Sequence, residues 1–157
     1  MVLLKDFDER GFTFFTNYES QKGRELAENP RAALVFYWDA LSRQIRITGQ
    51  VARLTPAESN AYFHTRPRGS QIATWVSRQS TVIENRTILD SRYNDFVAQF
   101  GDDHSATANA IPRPRYWGGY QLTPRTLEFW QSGQNRLHDR FRYTRQADEW
   151  LLERLAP

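Results

Sequence analysis

The sequence predicts an α+β fold in which β-strands predominate. Aromatic residues make up 14% of the 157 residues, and such residues favour strands over disorder. Four strand-like segments joined by short links lie within the first 54 residues, which is typical of an antiparallel barrel or sandwich. No linker long enough to divide domains interrupts the chain, so one domain over residues 1–157 is expected.

The first part of the chain is expected to contain four strands and one short helix. An apolar run at the N-terminus and the strand after it are expected to form a hairpin through turn residues 6–11. Ser20 can cap a helix over residues 21–28, which Asn29-Pro30 ends. The strands are expected at residues 1–4, 12–16, 32–38 and 43–54.

Helices are expected in the middle of the chain, at residues 56–65, 70–77 and 84–100. Thr55 to Glu58 is a capping box with proline at the first helical position, and Ser70 is expected to cap the second helix. Apolar residues recur at helical spacing in the third helix and are expected to face the core. They are Ile88, Leu89, Tyr93, Phe96, Val97 and Phe100.

A polar segment over residues 101–114 is expected to be a mobile loop in which His104 is solvated. The remaining chain alternates in the manner of strands. These last strands are expected at residues 116–122, 126–130, 137–144 and 150–155.

Composition excludes several classes of function. The basic residues, mostly arginine, are scattered among acids, so no nucleic-acid partner is expected, although arginine suits phosphate recognition. A GC-rich genome would produce the same excess of arginine. No apolar run could span a membrane, and nothing resembles a signal peptide, so a cytoplasmic protein is expected. The chain has no cysteine, and we expect no metal site.

The segment from Trp130 to Arg140 carries a candidate site. If the strand opens at Arg136, then Arg136, His138 and Arg140 point to one face, while Leu137 and Asp139 point to the other. Two guanidinium groups and an imidazole could bind an anion and hold a proton. The alternative interpretation is a solvated, arginine-rich hairpin edge.

Four further groups could bind phosphate: Lys5 after the first strand, Ser20-Gln21-Lys22 at a helix start, residues 62–70, and residues 77–80. Within residues 62–70, Tyr62 and Arg66 share a helix face and Ser70 offers a hydroxyl at a helix start. Lys22 could instead be merely solvated. No hydrolase triad, zinc motif, P-loop or dinucleotide fingerprint is present. Such a set favours a cofactor that supplies the chemistry.

In these same groups the chain resembles the pyridoxine 5′-phosphate oxidase family. The matching motifs run in order from residue 1 to residue 157: V-L-L-K, S-Q-K, E-N-P-R, R-Q-I, Y-F-H-T-R-P-R-G-S-Q-I, W-V-S-R-Q-S, W-G-G-Y, E-F-W-Q-S-G, R-L-H-D-R and E-R-L-A-P. The resemblance implies an FMN-binding split β-barrel with flanking helices. It also implies a homodimer with FMN at the subunit interface. The implied reaction is oxidation of pyridoxine or pyridoxamine 5′-phosphate to pyridoxal 5′-phosphate, with O2 as acceptor and H2O2 released.

Roles follow from the resemblance, position by position. Arg136 and His138 are the implied catalytic residues, near the atom that loses hydride. The implied substrate-binding residues are Lys5, Tyr62, Arg66, Ser70, Arg136, Leu137 and His138. The implied FMN-binding residues are Met1, Val2, Leu3, Leu4, Lys5, Phe15, Thr16, Gln21, Lys22, Gln44, Gln79, Ser80, Trp130 and Arg140.

The chain departs from the family pattern in two places. The family has further strands, a helix and a phosphate-binding arginine before the position of Met1, so we expect this chain to be N-terminally incomplete. Position 21 is glutamine where many members carry arginine. Two alternatives stay open: a related flavin oxidase of phenazine biosynthesis, suggested by S-Q-K-G-R-E-L, and a split-barrel protein that binds FMN or pyridoxal phosphate without turnover.

Overall fold

A computed structural model describes residues 1–101 and 110–157 of the chain. His104 and most of the loop predicted around it lie outside these residues. The described chain folds into one antiparallel sheet with helices against it, which confirms the predicted α+β class. None of its helices combines the length and apolarity needed to cross a membrane.

The sheet has the strand order β1-β2-β5-β4-β3, and β6 and β7 continue it beyond β5. All described pairings are antiparallel. The strands are β1 (Asp6–Asp8), β2 (Gly11–Asn17), β3 (Arg31–Trp38), β4 (Arg43–Arg53), β5 (Trp117–Gln131), β6 (Asp139–Gln146) and β7 (Glu149–Arg154).

The strand β5 is the centre of the sheet, since β2, β4 and β6 all pair with it. The two strands predicted within its range are a single one, so the predicted interruption at residues 123–125 was wrong. Pro124 stays in register with Gly49, and the register shift between Thr48 and Gly49 absorbs the irregularity. Gly49 suits this approach because a Cβ there would lie 2.1 Å from the carbonyl oxygen of Thr123.

The N-terminal hairpin exists, but its first strand was placed wrongly. Residues 1–5 have no regular structure, and β1 begins at Asp6. Lys5 therefore precedes the strand, although its backbone N–H donates to the carbonyl of Thr13 at 2.9 Å. The apolar side chains at the start of the chain line a cavity instead of extending the sheet.

The helices are α1 (Gln21–Glu28), α2 (Pro56–Thr65), α3 (Arg68–Val76) and α4 (Thr87–Phe100). The Ser20 cap is confirmed, since its hydroxyl accepts from the N–H of Gly23 at 3.3 Å, and so is the capping box at Thr55. The capping role of Ser70 was wrong: α3 begins at Arg68, after Pro67, so Ser70 lies within its first turn. The third predicted helix, α4, begins at Thr87, which is three residues after the predicted start at residue 84.

Two apolar clusters form the core. One fills the space between helices and sheet around Phe63, Ile72 and Trp117. Five of the six predicted core residues of α4 belong to it or pack against it, and Ile88 does not. The other is formed by side chains of the strands β2, β4 and β5, namely Phe14, Ile47, Val51, Tyr120 and Leu122. The first cluster positions the walls of the cavity described next.

Candidate functional site

A cavity of about 720 Å³ lies between the N-terminal segment, β2, α2 and α3. This volume is in the range of small-molecule sites in proteins. Ten of the predicted cofactor- and substrate-binding residues line it: Met1, Val2, Leu3, Lys5, Phe15, Thr16, Tyr62, Arg66, Ser70 and Gln79. Residues from four separate segments of the sequence therefore meet at one place.

Three stacked aromatic rings form one wall of the cavity. The ring centroids of Phe15 and Tyr62 are 3.8 Å apart, and that of Trp117 lies 5.4 Å from Phe15 and 6.3 Å from Tyr62. The interplanar angles are 20° or less. Trp117 had no predicted role, because its contribution depends on the pairing of β5 with β2. The wall offers an apolar, aromatic surface, and such surfaces favour the packing of ring systems.

Arg66 is the cation that this wall supports. Its guanidinium carbon lies 4.7 Å from the Trp117 ring centroid, and its Nη1 donates to the Thr74 hydroxyl at 2.7 Å. Burial lowers the pKa of Arg66, but a guanidinium remains protonated at neutral pH. Within the described ranges no carboxylate forms an ion pair with it. A half-buried cation without a carboxylate partner is suited to an anionic ligand.

Tyr62 and Arg66 do not share a helix face in the way predicted. Arg66 is the C-cap of α2 and has an extended backbone, with φ −76° and ψ 148°. Both side chains still line the cavity, because Gln71 Nε2 donates to the carbonyl of Arg66 at 2.8 Å and ties this residue to α3.

A second polar group gathers around Gln79. Its Oε1 accepts from Lys22 Nζ at 2.9 Å and from the Thr16 hydroxyl at 3.1 Å. An ion pair between Arg78 and Glu19 at 3.2 Å holds the same segment to the start of α1. An ammonium group, a hydroxyl and a carboxamide beside a helix N-terminus match what a phosphate group requires.

Three predicted cofactor-binding residues in this part of the molecule are exposed and do not line the cavity, and a fourth, Lys22, is connected to it only through Gln79. Leu4 and Ser80 are exposed, and Ser80 has a positive φ of 70°. Gln21 is also exposed and donates from Nε2 to Glu25 at 2.9 Å along its own helix. The structure thus assigns none of the three to the lining of the cavity.

A separate set of predicted residues lies on the other half of the sheet. Gln44, Trp130 and Arg140 are direct cross-strand partners on β4, β5 and β6, so their side chains share one face. Arg140 donates from Nε and Nη2 to one oxygen of Glu128, at 3.0 and 2.8 Å, and from Nη1 to the carbonyl of Ala156 at 2.8 Å.

The predicted start of the strand at Arg136 was wrong, since only Asp139 and Arg140 of this segment lie in β6. Gln134–Arg136 form a 3-10 turn in which Asn135 and Arg136 have positive φ, and β6 begins only at Asp139. The loop closes tightly, because the Gly133 N–H donates to His138 Nδ1 at 3.2 Å. His138 also contacts Trp130, with ring centroids 4.8 Å apart. Arg136, His138 and Arg140 are therefore neighbours in the chain without the predicted common strand face.

These two sets stand at opposite ends of β5. Trp117 begins the strand and lines the cavity, whereas Trp130 lies near its end. Leu137 and His138 border a different pocket, of about 460 Å³, beside the C-terminal residues. Within a single chain, as far as the structure describes it, the residues of the second set do not line the cavity.

Two family models match the chain. Residues 1–117 match the model described as pyridoxamine 5′-phosphate oxidase. The chain belongs to the pyridoxamine 5′-phosphate oxidase family. Residues 117–157 match the model described as the pyridoxine 5′-phosphate oxidase C-terminal dimerisation region. The family is one of oxidoreductases, so the predicted enzyme class is confirmed.

Curated relatives in this family are similar over the whole chain. Proteins named pyridoxine/pyridoxamine 5′-phosphate oxidase are 54% identical in Burkholderia thailandensis and 53% identical in Salinibacter ruber. A third, from Ralstonia pickettii, is 52% identical. Each similarity covers 100% of this chain and 71% or 72% of the relative.

Solved structures of related proteins show the same fold. PhzG from Burkholderia lata 383, in complex with tetrahydrophenazine-1-carboxylic acid, is 32% identical with a TM-score of 0.89, over 99% of this chain and 73% of that one. A pyridoxamine 5′-phosphate oxidase-related, FMN binding protein from Nostoc punctiforme is 16% identical with a TM-score of 0.73, over 99% and 79%. The split-barrel fold expected from the resemblance to the oxidase family is confirmed.

Sequence reasoning missed three residues of the two sets. Trp117 supports Arg66, Thr74 accepts a hydrogen bond from it, and Glu128 binds Arg140. The spacing Arg66-Thr74 spans a helix boundary, so no simple periodicity connects the two. Glu128 could have been found, since alternation in a strand places it on the same face as Trp130.

Proposed function

We propose that this chain oxidises pyridoxine 5′-phosphate and pyridoxamine 5′-phosphate to pyridoxal 5′-phosphate, with FMN as cofactor, O2 as acceptor and H2O2 as product. The observation that carries the proposal is the cavity in which Arg66 lies beside Tyr62 and Ser70 against an aromatic wall, with no carboxylate partner among the described residues. The names of relatives that are 52–54% identical support the same substrates.

The donor set fits a flavin mononucleotide. Lys22, Thr16 and Gln79 form a compact polar group suited to its phosphate, and the cavity has room for a ring system beside them. When bound, FMN would accept a hydride from the substrate and pass electrons to oxygen. The residues proposed to hold it in this region are Met1, Val2, Leu3, Lys5, Phe15, Thr16, Lys22 and Gln79.

The substrate phosphate would be bound by the remaining polar groups of the cavity. Arg66 and Lys5 supply charge, while the hydroxyls of Tyr62 and Ser70 supply hydrogen bonds. Because Arg66 is already held against Trp117, little side-chain entropy is lost when it meets an anion. These groups orient the substrate, and orientation is a large part of the rate of a hydride transfer.

We further propose that the enzyme is a homodimer in which each cavity is completed by the second set from the partner subunit, namely Gln44, Trp130, Arg136, Leu137, His138 and Arg140. Arg136 would stabilise negative charge on the substrate. His138 Nδ1 accepts the Gly133 N–H, so the neutral ring carries its proton on Nε2. The imidazole can therefore donate a hydrogen bond from that atom towards the substrate.

A direct assay tests this proposal. The purified chain is loaded with FMN, and O2 consumption and pyridoxal 5′-phosphate formation are measured with both phosphorylated substrates. We expect a yellow dimer that turns over both, with H2O2 formed in proportion. A protein that binds FMN yet consumes no O2 with either substrate would be a binding module, and the proposed function would be wrong.

A flavin oxidase of phenazine biosynthesis is the second candidate. The 32% identical PhzG structure, with a TM-score of 0.89, favours it, as does the S-Q-K-G-R-E-L segment at the start of α1. The same assay distinguishes the two candidates. Oxidation of a reduced phenazine carboxylate without activity on B6 phosphates would select the second.

A further inference from the structure

Thr74 lies on α3, opposite the end of α2, and its side chain is nearly buried, with 8% exposed. The hydroxyl donates its single hydrogen to the carbonyl of Ser70 at 2.9 Å. An oxygen lone pair is then left for Arg66 Nη1, which donates to it at 2.7 Å. The direction of this hydroxyl is therefore set by the helix, and Arg66 receives an acceptor at a fixed place.

Arg66 is also held by aromatic rings that contact its guanidinium and by a hydrogen bond to its backbone carbonyl. The guanidinium lies over Trp117 at 4.7 Å and near Phe63 at 5.8 Å, and Gln71 binds its carbonyl oxygen. Of the five N–H donors of the guanidinium, one is used by Thr74 in the part of the chain that the structure describes. The others are available to an anion in the cavity.

A neutral acceptor has an advantage over a carboxylate at this position. A carboxylate would fix Arg66 equally well, but it would cancel the charge that the anion needs. A threonine hydroxyl fixes the guanidinium and leaves its charge intact. It also links Arg66 to Ser70, the other group proposed to bind the phosphate, through the Ser70 carbonyl.

We propose that Thr74 is a positioning residue that orients Arg66 for the substrate phosphate and so raises the preference for phosphorylated over unphosphorylated substrates. The inference rests on the proposed function, because it assumes that the ligand of Arg66 is a phosphate ester. Thr74 itself does not touch the reacting atoms. Its effect is expected in substrate binding and selectivity, with turnover preserved.

The variant Thr74→Val tests the proposal, because it keeps the shape of the side chain and removes the acceptor. In the FMN-loaded full chain, the ratio of kcat/KM for pyridoxine 5′-phosphate to that for pyridoxine is measured, together with the Kd values of pyridoxal 5′-phosphate and pyridoxal. We expect the selectivity ratio to fall about fivefold or more, as for the loss of one hydrogen bond. Most of the change should lie in KM, with kcat within about twofold.

Two further variants serve as rescue and control. Thr74→Ser retains the hydroxyl and is expected to restore the ratio to within about twofold. Thr65→Val removes a hydroxyl that donates to the Tyr62 carbonyl at 2.8 Å in α2, next to Arg66 in sequence, and should leave the ratio unchanged. If Thr74→Val does not fold, Thr74→Ala replaces it in the same measurements.

The outcomes separate this inference from the proposed function. A wild-type enzyme that does not distinguish phosphorylated from unphosphorylated ligands would contradict the phosphate site itself. A selective wild type with an equally selective Thr74→Val variant would overturn only the role of Thr74. Equal losses of affinity for both ligands, accompanied by a lower melting temperature, would assign Thr74 a purely structural role and would also overturn it.

Discussion

Glu128 receives two N–H groups of Arg140 on a single carboxylate oxygen, at 3.0 and 2.8 Å. The two side chains lie diagonally across β5 and β6 and are 15% and 26% exposed. The carbonyl of Ala156 accepts a third N–H of the same guanidinium. The charge of Arg140 is therefore balanced, and its orientation fixed, before any ligand is bound.

We expect Glu128→Ala to destabilise the fold by about 2 kcal/mol, because it leaves a mostly buried guanidinium without its charged partner. Chemical denaturation monitored by tryptophan fluorescence measures this change. The variant should also bind FMN more weakly if Arg140 contacts the cofactor. Glu153→Ala is the matched control, since Glu153 binds Arg142 through the same atoms on the next strand but is 38% exposed. Its cost should stay below about 1 kcal/mol, and equal costs would contradict the argument from burial.

Arg66→Ala and Arg136→Ala should affect different kinetic constants. Loss of Arg66 removes a charge-assisted contact to the phosphate, worth about 1.5–3 kcal/mol, and should mainly raise KM. Loss of Arg136 should mainly lower kcat, because this residue is proposed to act on the substrate ring. Steady-state kinetics with pyridoxine 5′-phosphate separates the two effects. If both variants change KM alone, the proposed division of roles is wrong.

Glu58 should contribute acid-sensitive stability. The Thr55 hydroxyl, then Arg10 and the Thr55 N–H, lower the pKa of this carboxyl from 4.5 to about 2. Because the pKa is lower in the folded state, the contribution is complete above pH 4.5 and is lost as the pH falls towards 2. The melting-temperature difference between wild type and Glu58→Gln should therefore be largest near neutral pH and should shrink over this interval.

Glu149→Gln, on the edge strand β7, provides the control for the effect of Glu58. Its difference from wild type should be small at every pH, since no ion pair of Glu149 is found in the described residues. A Glu58→Gln difference that stays constant between pH 5 and pH 2 would show that the capping box is not linked to protonation.

Gly23→Ala should destabilise α1 and weaken flavin binding. A Cβ at Gly23 would lie 2.2 Å from the carbonyl oxygen of Tyr18, which is backbone and cannot move aside easily. The helix would have to shift, and with it Lys22, at a cost of about 1–3 kcal/mol. Gly69→Ala is the matched control, because its nearest contact is the Tyr93 hydroxyl at 3.1 Å and alanine favours a helix. A Gly23→Ala variant as stable as Gly69→Ala would contradict this prediction.

Local chemistry in the sequence was sufficient for much of the fold. The caps at Ser20 and Thr55 were predicted because each depends on residues within one helical turn. The interruption predicted in β5 was wrong because proline usually ends a strand, whereas here a bulge in β5, with Arg125 as the extra residue, lets the strand continue past Pro124. The hairpin before β6 was misplaced because the hydrogen bond between Gly133 and His138 adds a tight turn that strand alternation does not reveal.

The candidate site was predictable where its residues are close in sequence. Tyr62, Arg66 and Ser70 lie around one helix junction, so their spacing alone suggested a common site. Trp117 and Thr74 were missed, because their contacts to Arg66 depend on how β5 and α3 pack. The division of the predicted residues into two sets could not be predicted either, since it depends on the length of β5 as one strand.

The uninterrupted strand β5 separates Trp117 from Trp130 by roughly 40 Å, measured along the extended chain. In the proposed dimer, each subunit would then contribute residues to both catalytic centres, and neither centre would be formed by one subunit alone. Two mutants that are each impaired at low substrate concentration, Arg66→Ala and His138→Ala, should therefore complement each other when they are co-expressed. A mixed dimer would contain one centre carrying both lesions and one carrying none, so that a cell with two defective genes could still produce active enzyme.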